Sequence, residues 1–298
     1  MANFDDIFKS PPSMQDSRSF TPFDKDAWAA EKQQERESVY AMIDTAAMEM
    51  ISNGDLLQTY LDVQARFDRY SVSNAILITA QMPEATRLAD FDTWKGNGVY
   101  VKKGMTGISI LEPGKEYERE NGTVGVSYNV KKVFDISQTN SRQKAAPAVS
   151  RDERLLLKAL INNAPCQLSI TNELPENINV IYKPEDNVIL LRQGMDAPTI
   201  FRGLSQELAR AHIDKSGYTC ASPAFSAYCV SYMLCKRNGI AVDYFRFDRI
   251  PEAYHEMDAQ AIRGELGTMR EIAGEISADM NRVFDAQRSL QDRNDGAR

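Results

Sequence analysis

The sequence is poor in the residues that build disulfide frameworks and metal sites. Its 298 residues include four cysteines, none spaced as Cys-x-x-Cys, and two histidines. Cysteines this sparse are typical of reduced structural thiols. No apolar run approaches the roughly 20 residues that cross a bilayer, and no apolar segment follows Met1. We therefore expect a cytoplasmic protein without a membrane partner.

Signatures of common catalytic sites are also missing. Gly96-Asn-Gly98 is an isolated turn and lacks the lysine and hydroxyl residue of a phosphate-binding loop. Gly203-Leu-Ser205 lacks the second glycine of a serine nucleophile elbow. The sequence therefore predicts no cofactor and no hydrolase of these two kinds.

The net charge of −7 argues against nucleic-acid binding if the chain is taken as a whole. Residues 1–59 hold 5 Lys/Arg against 11 Asp/Glu, and residues 146–298 hold 18 against 21. Residues 60–145 hold 12 against 10 and are the only basic segment. An excess this small is also typical of an ordinary protein surface. Charge alone leaves both interpretations open.

Hydrophobic periodicity predicts an α+β fold in two domains. Residues 1–27 show neither helical nor strand period and are predicted to be a flexible tail. Residues 28–140 are predicted to form helices plus an antiparallel sheet, with a hairpin turn at Asn121-Gly122. Residues 141–151 are polar and predict a linker. Residues 152–298 predict a mostly helical domain with a small sheet, ending in a long amphipathic helix.

Five segments of the first domain, in this order, resemble the N-terminal domain of ArdC-type antirestriction proteins. They are Tyr70–Thr86, Trp94, Val101–Gly104, Ile108–Pro113 and Val133–Thr139. The resemblance covers roughly residues 30–140. It implies a single-stranded-DNA-binding domain of plasmids and conjugative elements, commonly followed by a zincin-like metallopeptidase domain.

The first domain contains the residue types that such binding requires. Cationic side chains contact phosphates, and aromatic faces stack on bases at about 1–3 kcal/mol per base. The alternative for each aromatic residue is a packing role, and for Asn74 and Gln81 a cap or bridge within the helix. The candidate binding residues are Arg66, Arg69, Tyr70, Asn74, Trp94, Tyr100, Lys102, Lys103, Tyr128, Lys131 and Lys132.

The second half resembles the zincin layout of two strands, a motif helix and a further helix. A zincin motif places two histidine ligands at i and i+4, with a glutamate general base next to the first. Gln206 and Arg210 stand at the histidine positions, and only Glu207 remains. Glutamine is a poor zinc ligand, and the arginine guanidinium stays protonated. We therefore predict a degenerate site without a metal, a pseudo-metallopeptidase rather than an enzyme.

Two arrangements are open for Glu207. Arg210 lies three residues later and could form an ion pair with it, replacing the metal as the partner of the carboxylate. A rescue metal site could instead combine Glu207 with His212 and either Cys220 or Cys229. The first arrangement predicts a carboxylate neutralised without a metal.

Three functions are compatible with these features. The leading prediction is a non-catalytic, antirestriction-like protein of a mobile element that associates with single-stranded DNA. The first alternative is an inhibitor or decoy that binds a host defence protein through an acidic surface. The second alternative is a zinc peptidase with unusual ligands.

Overall fold

The computed structural model describes residues 24–118, 122–141 and 151–295. Three helices come first, α1 (Lys25–Ser52), α2 (Gly54–Arg66) and α3 (Val72–Gln81). β1 (Leu88–Asp90), the short α4 (Phe91–Gly96), β2 (Ile108–Glu118) and β3 (Val124–Asp135) follow. The second half contains α5 (Glu153–Ile161), β4 (Gln167–Thr171), β5 (Val180–Lys183), β6 (Val188–Arg192), α6 (Ala197–Ser216), α7 (Pro223–Asn238) and α8 (Ala259–Asp295). The predicted α+β class is confirmed.

Capping residues explain where the first helices begin and end. The Asp24 side chain accepts hydrogen bonds from the backbone N–H groups of Asp26 and Ala27, so α1 begins inside the segment predicted to be a tail. Asn53 ends α1, and its side chain caps α2. A Cβ on Gly54 would overlap the carbonyl group of Phe247, so only glycine fits this junction. The rest of the predicted tail, most of the linker and Asn121 lie outside the described residues.

The first sheet is antiparallel with the strand order β1-β3-β2. Its outer strand β2 is covered by α3. The Asn74 side chain donates to the carbonyl oxygen of Leu111 at 2.9 Å and accepts from its N–H at 2.7 Å. Gln81, two turns later on α3, makes the same pair of hydrogen bonds with Ser109 at 2.9 and 2.8 Å. Two amide side chains thus replace a neighbouring strand along this edge.

The second sheet is mixed with the order β4-β6-β5; β4 is parallel to β6 and β5 is antiparallel to it. Helix α6 packs against β5 and α7, and α8 packs against α5 and α7. The Asp196 side chain caps α6 at its start, and Gly217 ends it in the left-handed conformation with φ 66°. These contacts position α6, which carries Gln206, Glu207 and Arg210, beside the edge of β5.

One hydrophobic core joins the two halves. Buried side chains of α1, α2 and α3 pack in the same cluster as those of α6, α7 and α8. Arg237 of α7 lies between the halves, donating to the carbonyl oxygens of Ala65 and Gln64 and to Ser277 Oγ. A two-domain layout with one sheet in each half is consistent with this fold, and the contact between the halves combines the shared apolar core with polar contacts such as those of Arg237.

Among the helices of the described residues, none combines the length and the hydrophobicity that crossing a membrane requires.

Candidate functional site

Glu207 lies at the centre of the helical turn that replaces the metal motif. It is buried, with 5% exposure, and one carboxylate oxygen accepts the backbone N–H of Tyr182 at 2.9 Å. The same oxygen lies 3.3 Å from the Arg210 guanidinium, in the i, i+3 ion pair that the spacing allows. Burial raises the pKa of Glu207, while the Tyr182 hydrogen bond and Arg210 act in the opposite direction.

The neighbouring Tyr182 is held by α6 at two points. Its backbone N–H donates to Glu207. Its hydroxyl donates at 2.9 Å to Asp214, which lies seven residues, or about two helical turns, after Glu207 on α6. Because Tyr182 belongs to the outer strand β5, Glu207 covers an edge of the second sheet, as Asn74 and Gln81 cover an edge of the first. Glu207 therefore has a structural contact that requires no metal.

The residues of the alternative metal site, Glu207 with His212 and Cys220 or Cys229, do not converge on one point. His212 Nδ1 lies 3.3 Å from a carboxylate oxygen of Glu275 on α8. Cys229 is fully buried in the core, and Cys220 is half-buried. Among the residues that the structure describes, no group of three or more His, Cys, Asp or Glu side chains has the arrangement of a metal site. This alternative set is therefore not assembled.

The strand β3 presents its candidate residues on opposite faces of the first sheet. Tyr128 and Lys132 share the even face with the exposed Val124 and Val126, whereas Lys131 lies on the odd face. Tyr128 is 41% exposed, and Lys132 Nζ donates to the Ser109 hydroxyl at 2.6 Å. Strand alternation in the sequence is enough to separate these two faces, and it also places Val124 and Val126 beside Tyr128, although the two valines were not among the candidate residues.

A second group of candidates lies next to the end of β3. Tyr100 exchanges two hydrogen bonds with Asn140 and leaves its ring 54% exposed. Lys102 Nζ donates to the carbonyl oxygen of Ser137 at 3.1 Å, and Lys103 is exposed. The chain then turns through Gly107, whose Cβ position lies against the side chains of Lys132 and Phe134. Gly107 thus brings the segment that follows residues 100–103 against Lys132 on the even face of β3.

Three predicted binding residues have structural roles instead. Asn74 is 8% exposed, and both ends of its amide are bound to Leu111. Trp94 is 2% exposed and donates its indole N–H to the Phe134 carbonyl oxygen, so no base can stack on it. Lys131 lies 2.9 Å from Asp90 and 3.0 Å from Glu112, and these carboxylates raise its pKa. These three residues are therefore left out of the surface proposed below, and their assignment as DNA contacts stays a prediction.

Arg66, Arg69 and Tyr70 lie at the end of α2. Arg66 is exposed but donates to the carbonyl oxygens of Pro83 and Ala85. Tyr70 packs edge-on against Phe67 with ring centroids 5.6 Å apart; burial raises its pKa, and the charge of Lys131 acts in the opposite direction. Arg69 is exposed. Arg66 and Tyr70 thus both contact other residues of the first domain.

Comparison with known proteins gives the following similarities. Residues 28–148 match the family model described as the N-terminal domain of anti-restriction factor ArdC. An uncharacterised protein of Bacillus anthracis is 29% identical over 147 residues, which represent 45% of this chain and 23% of that protein. The chain thus spans less than a quarter of the length of this relative.

Two crystal structures of the antirestriction protein ArdC from plasmid R388 have a similar fold. The metal-free structure is 17% identical, with a TM-score of 0.54 over 72% of this chain and 86% of that chain. The Mn(II)-bound structure is 16% identical, with a TM-score of 0.51 over 71% and 85%. Since the similarity extends over more than residues 28–148, both halves contribute to the shared fold.

Proposed function

We propose that this chain, which is ArdC-like in fold and carries an ArdC-type domain at residues 28–148, is an antirestriction protein that binds single-stranded DNA without catalysing peptide hydrolysis. The main support is a set of two tyrosines and three lysines on this domain, which the proposal combines into one binding surface: Tyr100, Tyr128, Lys102, Lys103 and Lys132. Their side chains remain at least partly accessible, unlike Trp94 and Asn74.

The chemistry of this surface fits a single strand better than a duplex. The tyrosines and the exposed aliphatic side chains offer flat apolar area for unpaired bases, and the lysines offer counter-charges for phosphates. Few cations are available and the whole chain carries a net charge of −7, so the affinity is expected to be modest and to fall steeply with salt.

Lys132 and Lys131 provide a matched pair of variants for testing DNA binding. Lys132→Gln and Lys131→Gln remove the same charge from adjacent residues on opposite faces of one strand. Fluorescence anisotropy with a labelled single-stranded oligonucleotide at low salt should show weaker binding for Lys132→Gln and near wild-type binding for Lys131→Gln. Tyr128→Ala should weaken binding by about 1–3 kcal/mol if one base stacks on this ring.

Equal losses for the two lysine variants would mean that only net charge matters and would contradict a defined surface. Absence of binding by the wild-type chain at low salt would remove the single-strand function. A duplex of the same length serves as the competitor, because the proposal expects a preference for unpaired bases.

The lack of catalysis is supported by the turn of α6. Of the three motif positions, Glu207 alone has metal-binding chemistry, and its carboxylate is occupied by the Tyr182 N–H and Arg210. The positive guanidinium so close to that carboxylate opposes binding of a divalent cation. The donor set of this turn therefore does not fit a divalent cation such as Mn(II), the ion named for one R388 ArdC structure.

Metal analysis tests this part of the proposal. The chain purified without chelators, and then incubated with Mn(II) or Zn(II), should hold no stoichiometric metal in elemental analysis. Stoichiometric metal that is lost in Glu207→Ala would show that the turn is a working site and that the chain is not a pseudo-metallopeptidase.

The net charge of −7 favours a second candidate function, binding of a host defence protein as an inhibitor or decoy. The two candidates predict different effects of Lys132→Gln. Protection of incoming DNA in a restricting host should be reduced by this variant if protection acts through DNA. Protection that is unchanged, together with co-purification of a restriction subunit, would favour the second function.

A further inference from the structure

The outer edge of β4 differs from two other strand edges in this protein. Side chains of α3 cover the edge of β2, and Glu207 of α6 covers that of β5. Among the described elements, only β6 packs extensively along β4. Strand edges with free N–H and C=O groups readily pair with another strand, so proteins usually protect them.

The parallel register identifies which groups of β4 face outward. Gln167 donates its N–H to Asn187 of the β6 side, and Thr171 accepts there from Gln193. Ser169 has the same orientation, because alternate residues of a strand point in the same direction. The N–H and C=O groups of Leu168 and Ile170 therefore point away from β6, and they have no hydrogen-bond partner among the described residues.

The side chains of β4 do not protect this edge. Its sequence is Gln-Leu-Ser-Ile-Thr, without the lysine, glutamate or proline that commonly blocks pairing. Ile170 is 71% exposed, one of the two most exposed large apolar side chains in the described part of the chain. An uncharged strand with a free edge and an exposed isoleucine favours pairing with another apolar strand.

We propose that the partner is a second copy of this chain, paired antiparallel through β4 about a two-fold axis at Ser169. In this register Leu168 faces Ile170 of the second copy, and Ile170 faces its Leu168, so both outward-pointing residues find hydrogen-bonding partners. The arrangement places Ser169 opposite itself, and it brings no like charges together. Ile170 then packs on an apolar neighbour across the strands.

The size of this contact determines its strength. A five-residue strand is about 17 Å long, so the contact is expected to bury less than the roughly 1,200 Å² at the low end of specific, stable interfaces. The dimer is therefore weak and reversible, with two three-stranded sheets joined into one of six strands. It does not depend on the proposed DNA surface, which belongs to the other sheet.

Sedimentation velocity of the full chain from micromolar to millimolar concentration tests this dimer. The wild-type average mass should rise with concentration toward twice that of one chain. Ile170→Lys should remain monomeric throughout, because it adds a charge on each side of the axis. Val124→Lys is the matched control, since it introduces the same charge at an exposed strand valine of the first sheet and should still dimerise.

Ile170→Pro is the second variant, because it deletes only an N–H that points away from β6 and leaves the internal ladder intact. It should also be monomeric, with an unchanged circular dichroism spectrum. If the proline variant does not fold, the behaviour of Ile170→Lys alone decides whether the chain dimerises through β4. A wild type that stays monomeric, or a dimer that survives Ile170→Lys or is abolished only by Val124→Lys, overturns the proposal.

Discussion

At the scale of single residues, the same amino acid type has different roles according to its surroundings. Lys131 and Lys132 are adjacent, yet one is neutralised by Asp90 and Glu112 and the other lies on an accessible face with Tyr128. Sequence reasoning could not separate them, because the acidic partners of Lys131 come from β2 and from the residue before α4. Strand alternation indicates that the two lysines lie on opposite faces of β3, but only the packing shows which of these faces is accessible to a ligand.

Glu207 gives a prediction at this scale. Because burial raises its pKa, the folded chain binds a proton more tightly than the unfolded chain between the ordinary glutamate value and the raised one. The stability that Glu207 contributes is therefore fully present at a pH below the ordinary glutamate pKa. It declines as the pH rises from that pKa through the raised pKa of the folded chain. The variant Glu207→Gln stays neutral and keeps an acceptor for the Tyr182 N–H.

We expect the free energy of unfolding of Glu207→Gln, relative to wild type, to increase as the pH rises from about 4 to about 7. Chemical denaturation at each pH measures this difference. A relative stability of the variant that falls with pH would mean that the Arg210 ion pair stabilises the charged form more than burial destabilises it.

At the scale of secondary-structure elements, helices cover strand edges through side chains. Asn74 and Gln81 are seven residues apart on α3, so their amides lie on one face and meet alternate residues of β2. The sequence motif containing both residues is part of the ArdC resemblance, but the resemblance does not show what their side chains bind. The close approach of α3 to β2 decides that they hold the sheet.

Asn74→Ala should reduce stability more than Gln81→Ala. Loss of the Asn74 amide leaves the N–H and C=O of Leu111 without partners in a buried position, at about 1–3 kcal/mol for each group. Gln81 is only partly buried, so water can replace its amide. Thermal denaturation of both variants measures the difference, and equal losses would contradict this ranking.

At the scale of the whole molecule, the two halves depend on one core. The residues between Leu57 and Ala65 that are buried by α7 would be exposed in an isolated N-terminal fragment. Arg237 adds directional hydrogen bonds between α2, α7 and α8, and burial lowers its pKa. The family match to residues 28–148 therefore delimits a sequence domain, and we expect the unit that folds cooperatively to be larger.

The full chain should unfold in a single cooperative transition in calorimetry, and a fragment ending at residue 141 should show no cooperative transition. Arg237→Met should lower the melting temperature of the full chain without splitting the transition, because it leaves the carbonyl oxygens of Ala65 and Gln64 without their donor. Two separated transitions in the wild type would contradict the shared core.

The sequence by itself determined the α+β class, the main helices and the strands, because these depend on local periodicity, caps and turn residues. It also determined that Gln206 and Arg210 cannot act as the paired histidines of a metal site. Tertiary structure alone decided that Trp94 and Asn74 are buried, that Glu207 accepts the backbone N–H of Tyr182, and that β4 has an open edge. These outcomes depend on contacts between residues far apart in the chain, and no local pattern encodes them.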